Sequence, residues 1–211
     1  MGEFWDKHYL NFSEQESSKF CVYVIQNYLK PTDYVIELGC GNGRDGLRIA
    51  KTVEFYEGVD LAASAISSAN ELFRSFQIPD SRYLIRQGDF SQTMTNQQIG
   101  ERLVIYSRFS LHSDSEDAEN QLLSNLALVK NKKLLVLIEV RTIYDDLFGK
   151  GKKVGKNAFV TDHYRRFIDP VELRSKISKQ FEILDYQLSK GLAPYKAEDP
   201  IVLRAVFRNK V

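Results

Sequence analysis

Apolar positions recur along this chain with two periods. Between Ser17 and Leu29 they fall at Phe20, Val24 and Tyr28, the spacing of a helix with one buried face, and Pro31 stops it. Asp33 to Leu38 is a short apolar run that predicts a buried strand. A helix start at Gly43 to Ala50, a strand at Val53 to Val59 and a helix at Ala62 to Phe76, closed by Pro79, come next. Strands are expected at Arg82 to Ile85 and at Leu103 to Tyr106. Glu116 to Val129 is a helix with Leu122, Leu123, Leu126 and Val129 on one face. Lys133 to Val140 (KLLVLIEV) is the most apolar strand and should be central. Thr142 to Phe167 breaks the pattern with turns and charges. Pro170 to Ile177 is a helix, and Phe181 to Leu188 and Ile201 to Phe207 alternate with period two, close enough to pair as an antiparallel hairpin. This β-α alternation with a terminal hairpin implies one three-layer α/β domain over residues 1–211.

Composition narrows the class. The 211 residues are 43% hydrophobic and 27% charged, ordinary for a globular protein, and can bury a sizeable core without staples. A net charge of +1 argues against a general nucleic-acid binder. Two cysteines, Cys21 and Cys40, are too few for a disulfide framework or a zinc site, so no metal is expected. Their setting suggests a reducing compartment. With no signal-like start and no run of 18 apolar residues, the expected location is the cytoplasm, without a membrane span.

The chemistry concentrates in YVIELGCGNGRDG, Tyr34 to Gly46. GNGRDG matches the dinucleotide pattern G-x-G-x-x-G, and Asp60 lies about twenty residues on, as that pattern wants. The match starts two residues late, however. Counted from Gly39, which follows the strand directly, the third glycine position holds Arg44. Glu37 at the strand tip would also face a pyrophosphate with a like charge. S-adenosylmethionine carries an ammonium and a sulfonium and no phosphate, so a carboxylate favours it. Glu37, Gly39, Gly41 and Gly43 fit that cofactor better.

On these residues the sequence resembles the class I S-adenosylmethionine-dependent methyltransferases. The resemblance implies a Rossmann-like fold with a seven-stranded, mostly parallel sheet, helices on both faces and an antiparallel seventh strand. It implies that Glu37 orients the methionine amino group and that Gly39, Gly41 and Gly43 line the cofactor. It implies that Asp60, beside Leu61, accepts both ribose hydroxyls. Asp89 would take the adenine amine with Phe90 beside the ring, and Tyr106 and Ser107 would sit near the transferred methyl. Simpler roles stand beside these: Asp60 as a helix cap, Asp89 as a turn residue and Phe90 as core.

FWDKHYLNF at the N-terminus is rich in aromatics. In residues 1–30 we expect a flap and a helix, with Trp5, Tyr9 or Phe12 facing the sulfonium, or else plain packing. YSRFSLHS (Tyr106 to Ser113), EVR (Glu139 to Arg141), NAFVTDHYRRF (Asn157 to Phe167) and AEDP (Ala197 to Pro200) resemble methyltransferases of bacterial surface-polysaccharide (capsule or O-antigen) modification. Some of those are implied to act on a phosphate or phosphoramidate. Residues 141–168 then form an acceptor-side insertion. Its arginines Arg141, Arg165 and Arg166, with Arg108 and His112 after the fourth strand, suit a small or saccharide acceptor that is anionic. Lys150 to Lys153 can equally be a solvated loop. A neutral hydroxyl or amine acceptor with His112 or His163 as base, a non-catalytic cofactor-binding subunit and a nicotinamide dehydrogenase remain the alternatives.

Overall fold

The computed structural model describes residues 2–11, 14, 16–92, 101–129 and 133–210. Helices α1 (Gly2–Asn11) and α2 (Lys19–Asn27) precede an alternation of β1 (Asp33–Leu38), α3 (Arg44–Ala50), β2 (Phe55–Asp60), α4 (Ala63–Ser75) and β3 (Tyr83–Gln87). Then come β4 (Arg102–Arg108), α5 (Glu116–Ala127) and β5 (Lys133–Arg141). Three short strands follow: β6 (Lys152–Gly155), β7 (Ala158–Val160) and β8 (Tyr164–Arg166). The described chain closes with α6 (Pro170–Gln180), β9 (Phe181–Ser189) and β10 (Val202–Asn209).

The main sheet runs β3-β2-β1-β4-β5-β10-β9, parallel except for the β10 pairings. This is the Rossmann-like class I methyltransferase architecture. β4, rather than β5, stands in the middle. β5 reads as the most apolar strand because β4 and β10 both flank it and seven of its nine residues are buried between helix layers. Successive residues of one strand serve opposite layers. Tyr34, Ile36 and Leu38 pack with Leu122, Leu126, Leu173 and Ile177 of α5 and α6. Val35 packs with Phe20, Leu47, Ile49, Leu72 and Phe73 of α2, α3 and α4. Period-two alternation thus builds three layers from one sheet.

Two segments escape the periodicity. Residues 152–166 hold the antiparallel sheet β6-β7-β8, whose strands of three or four residues are too short to show a period. Edge contacts among Phe148, Phe159 and Phe167 hold it together. Helix α1 forms where we expect only an aromatic flap. Its anchor is Asp6, whose Oδ1 accepts from the Ser64 amide at 3.0 Å and whose carbonyl accepts from the Ser64 hydroxyl at 2.9 Å. Ala62, the N-cap residue of α4, has no side-chain oxygen to offer, so α1 satisfies that helix end from outside.

The starts of β1 and β4 are joined by a buried ion pair. Asp33, with no exposure, accepts from Arg102 Nε at 2.9 Å and Nη2 at 2.7 Å, and from the Lys30 amide at 2.7 Å. Replacing Asp33 with Ala strands the guanidinium and an amide. We expect a stability loss of about 3–5 kcal/mol in urea denaturation. A loss under about 1 kcal/mol, the scale of an exposed pair, would contradict this account of the sheet's lower edge.

Candidate active site

At the carboxyl ends of β1, β2 and β4 the chain opens a cleft of about 380 Å³. The parallel register sets Glu37 beside Gly58 and Tyr106, so the loops after these strands converge. Gly39, Gly41 and Gly43 all take left-handed φ, at 73°, 54° and 79°. A Cβ on Gly39 would lie 2.6 Å from Ser110 Cβ, and one on Gly41 would lie 2.5 Å from the Tyr9 hydroxyl. Both conformation and space therefore require glycine. The loop is tied down by Asp60, whose Oδ2 accepts from the Gly41 amide at 2.9 Å while Oδ1 accepts from the Ala62 amide at 2.9 Å.

This end of the cleft is acidic. Glu37, Asp45 and Asp60 all line it and all are buried. Glu37 accepts from the Tyr56 hydroxyl at 2.7 Å; burial first, then the neighbouring Asp45, pushes its carboxyl well above the usual range. Burial likewise raises Asp60, against the pull of its backbone amides. Asp45 sits in the first turn of α3 and accepts from the amide and hydroxyl of Ser18, each at 2.6 Å, and from the Tyr106 hydroxyl at 2.7 Å. A helix start that could hold a phosphate holds the chain's own carboxylate instead. A phosphate 4 Å from one such charge would meet about 4 kcal/mol of repulsion at an effective dielectric of 20. These acceptors disfavour a phosphate and fit a ligand that brings positive charge and ribose hydroxyls.

The roof is α1. Phe4, Trp5, His8 and Tyr9 line the cleft, with Tyr9 against the glycine loop. Phe4 stacks on His163 with centroids 4.4 Å apart, and Trp5 meets the same ring edge-on at 5.1 Å. The roof thus spans from the N-terminus of α4 to the β7–β8 turn. Phe12 lies outside the described residues.

Beyond the glycine loop the lining also carries cationic groups, with Asp114 and Asp162 beside them. Arg108, His112, Arg141 and Arg165 belong to this part of the lining. Arg108 Nε donates to Glu139 at 3.0 Å, and its guanidinium lies 4.3 Å over the Phe109 ring. Arg141 pairs with Asp145 at 3.0 Å and Glu198 at 2.5 Å. Arg165 bonds Thr161 at 3.0 Å and reaches Asp162 at 3.4 Å. Among the described residues His112 Nδ1 is buried with no hydrogen-bond partner. Burial, then Arg141, Arg165, His163 and Arg166, hold the His112 pKa well below its ordinary value. The arginines thus bring guanidinium groups to this wall, set among Asp114 and Asp162, which also line the cleft.

Five candidates lie elsewhere. Gly43 does not line the cleft; a Cβ on it would lie 2.9 Å from Ala69 Cβ of α4. The Tyr106 hydroxyl is fully buried on Asp45 and its ring stacks on Phe20 at 5.2 Å, so it belongs to the core beneath the cleft. Ser107 is buried and bonded to Ser110 at 2.6 Å. Asp89 serves the turn that follows it, accepting from the Ser91 amide at 2.8 Å and its hydroxyl at 2.7 Å; only its neighbour Phe90 reaches the cleft. Arg166 points away, onto Glu119 at 2.8 Å and the Asp114 carbonyl at 3.0 Å. Even spacing along a strand hides which face a residue takes, which decided Tyr106, Ser107 and Arg166; Asp89 lies in the turn after β3. Asp45, Phe109 and Asp162 enter the site without having been singled out for it, while His163, the alternative base, lines it as well. Asp45 and Phe109 stand one residue past Arg44 and Arg108, in motifs already notable, but Phe109 takes its φ of 58° with no sequence signal. Among the described residues no helix is long and apolar enough to cross a membrane, and no group of three or more His, Cys, Asp or Glu could hold a metal.

The sequence matches the methyltransferase-domain family over residues 29–144, more than half its length. The chain belongs to that family, and its cofactor is S-adenosylmethionine. An mRNA cap guanine-N(7) methyltransferase of Saccharomyces cerevisiae is 34% identical over 67 residues. That match covers 31% of this chain and 15% of the yeast protein's length. In three dimensions the chain is similar to an S-adenosylmethionine-dependent methyltransferase of Methanosarcina mazei, with TM-score 0.73, 14% identity and coverage of 89% and 97%. It is also similar to the CcbJ methyltransferase of Streptomyces caelestis, with TM-score 0.70, 13% identity and coverage of 100% and 98%. At such identities these two likenesses speak for the fold.

Tyr106 and Asp60 now separate experimentally. Asp60→Ala should weaken S-adenosylmethionine binding by about 1–3 kcal/mol in calorimetry. Tyr106→Phe removes one of three donors to Asp45 and should cost about 1 kcal/mol of stability with cofactor affinity within about twofold. A cofactor-binding collapse in Tyr106→Phe, or none in Asp60→Ala, would reverse these assignments.

Proposed function

We propose that this protein transfers the methyl group of S-adenosylmethionine to an oxygen of an anionic acceptor, a small molecule or saccharide. The observation that carries the acceptor class is the Arg108 guanidinium, which lines the cleft with Arg141 and Arg165 and takes no hydrogen-bond partner at its terminal nitrogens among the described residues. When bound, the cofactor supplies an electrophilic methyl on a sulfonium. Glu37 would take its ammonium and Asp60 its ribose hydroxyls, two acceptor oxygens matched to a vicinal diol. The glycine loop would lie against it, with Tyr9 and Trp5 above. An anionic oxygen is already a nucleophile, so the chain's task is to hold it in line with the methyl. Guanidinium groups do this by paired donors, without abstracting a proton.

The finer class, a phosphate or phosphoramidate oxygen in capsule or O-antigen biosynthesis, rests on the resemblance of Tyr106 to Ser113 and Asn157 to Phe167. A cytoplasmic setting is consistent with Cys21 and Cys40, both buried and unpaired. With a net charge of +1 we do not propose a nucleic-acid partner, although the yeast relative's name refers to an mRNA cap.

One observation favours a second reading. His163 lies 3.1 Å from Asp162 through Nδ1 and lines the cleft, an arrangement that could deprotonate a neutral hydroxyl or amine. Burial first, then Arg165, lowers its pKa. A base of this kind would give a rate that rises with pH through a value below about 6.5 and then stays level.

The test is a turnover screen of phosphorylated sugars, nucleotides and a capped-RNA analogue, followed by variants at saturating cofactor. At least one of Arg108→Ala, Arg141→Ala and Arg165→Ala should lower kcat/KM for the acceptor by about tenfold or more, ~1.4 kcal/mol. His112→Ala and His163→Ala should retain turnover. If all three arginine variants behave as wild type while a histidine variant abolishes turnover, the acceptor is neutral and base-activated.

A further inference from the structure

Three charged residues on adjacent strands line up across the sheet. Arg108 of β4 stands opposite Glu139 of β5, and Glu139 stands opposite Arg204 of β10. Their side chains meet. Glu139 has no exposure; its Oε1 accepts from Arg108 Nε at 3.0 Å and its Oε2 from Arg204 Nε at 2.8 Å. Arg204 is fixed in turn. Its Nη2 donates to the Leu192 carbonyl at 2.8 Å, and its guanidinium lies over the Phe20 and Tyr23 rings at 5.2 Å and 4.8 Å. Of the three, only Arg108 lines the cleft.

Burying such a group is expensive, and an apolar trio would serve stability as well or better. What the ladder supplies is geometry. With each oxygen of Glu139 committed to one guanidinium, Arg108 is held at Nε. Its two terminal nitrogens take no hydrogen-bond partner among the described residues. The other cleft arginines, Arg44, Arg141 and Arg165, are each already tied through a terminal nitrogen. Arg141 gives both terminal nitrogens to carboxylates, and Arg165 gives its own to Thr161, Asp162 and, at 3.5 Å, His163.

We propose that Arg108 is the anchor for the acceptor's anionic group, and that Glu139 and Arg204 are positioning residues that set acceptor affinity without touching the acceptor. This rests on the anionic-acceptor reading above. The ladder fixes the plane of the Arg108 fork, and the rings of α2 fix the ladder.

Trp5 is the only tryptophan in the chain and lines the cleft, so its fluorescence reports occupancy there. Inorganic phosphate is titrated into the full chain saturated with S-adenosylhomocysteine. Arg108→Ala should weaken phosphate binding by about a hundredfold. Glu139→Gln should weaken phosphate binding by about tenfold or more, with S-adenosylhomocysteine affinity within about twofold. In the Arg108→Ala background, Glu139→Gln should leave the residual phosphate affinity, measured by competition with a phosphorylated sugar, unchanged. Arg204→Lys keeps the charge but loses the fork, and should weaken phosphate by about fivefold; it decides the matter should Glu139→Gln not fold. If the folded ladder variants bind phosphate as wild type does, or Glu139→Gln keeps its full effect without Arg108, the ladder is merely structural and the proposal fails. If wild type gives no response to phosphate, the anionic-acceptor reading itself fails and takes this one with it.

Discussion

The hydrogen bond from the Gly41 amide to Asp60 Oδ2, 2.9 Å long, is the link on which the site depends. It joins the loop after β1 to the tip of β2. It can form only because these strands are parallel neighbours in register, Leu38 beside Val59. It also needs Gly39 and Gly41 in left-handed conformations that keep side chains out of the cleft. The same carboxylate that would grip a ribose thereby shapes the floor on which the cofactor would rest. Sheet topology, loop conformation and ligand chemistry meet in one contact.

Both signs of charge line the cleft. Three buried carboxylates, Glu37, Asp45 and Asp60, surround the glycine loop. Arg108, Arg141 and Arg165 line the same cleft, with Asp114 and Asp162 among them. A cationic cofactor and an anionic acceptor would each meet groups that favour it, with the methyl between them. The buried charges are kept by partners: Tyr56 on Glu37, Ser18 and Tyr106 on Asp45, and Arg108 and Arg204 on Glu139. The protein accepts the desolvation of these groups where it must discriminate between ligands, which a purely apolar cleft would not do.

Much of the frame was legible in the sequence. Every strand and helix of the main sheet from α2 onward follows from periodicity, because each buries one face or two. The loop of Gly39 to Gly43 and the carboxylates Glu37 and Asp60 were legible because their spacing from strand ends is fixed by the backbone. What was not legible depends on side-chain direction. Tyr106, Ser107, Asp89 and Arg166 stand beside cleft residues in sequence, yet point into the core or onto neighbours. The β6-β7-β8 sheet was hidden by strands too short for a period, and α1 by its dependence on Asp6 reaching Ser64, a contact across 58 residues.

The central claim is that this glycine loop takes S-adenosylmethionine and not a dinucleotide. Calorimetric titration of the same protein with S-adenosylmethionine and, separately, with NAD tests it directly. Saturable binding of S-adenosylmethionine, one per chain, is expected, with no heat from NAD at concentrations short of millimolar. Saturable binding of NAD with no response to S-adenosylmethionine would contradict the account.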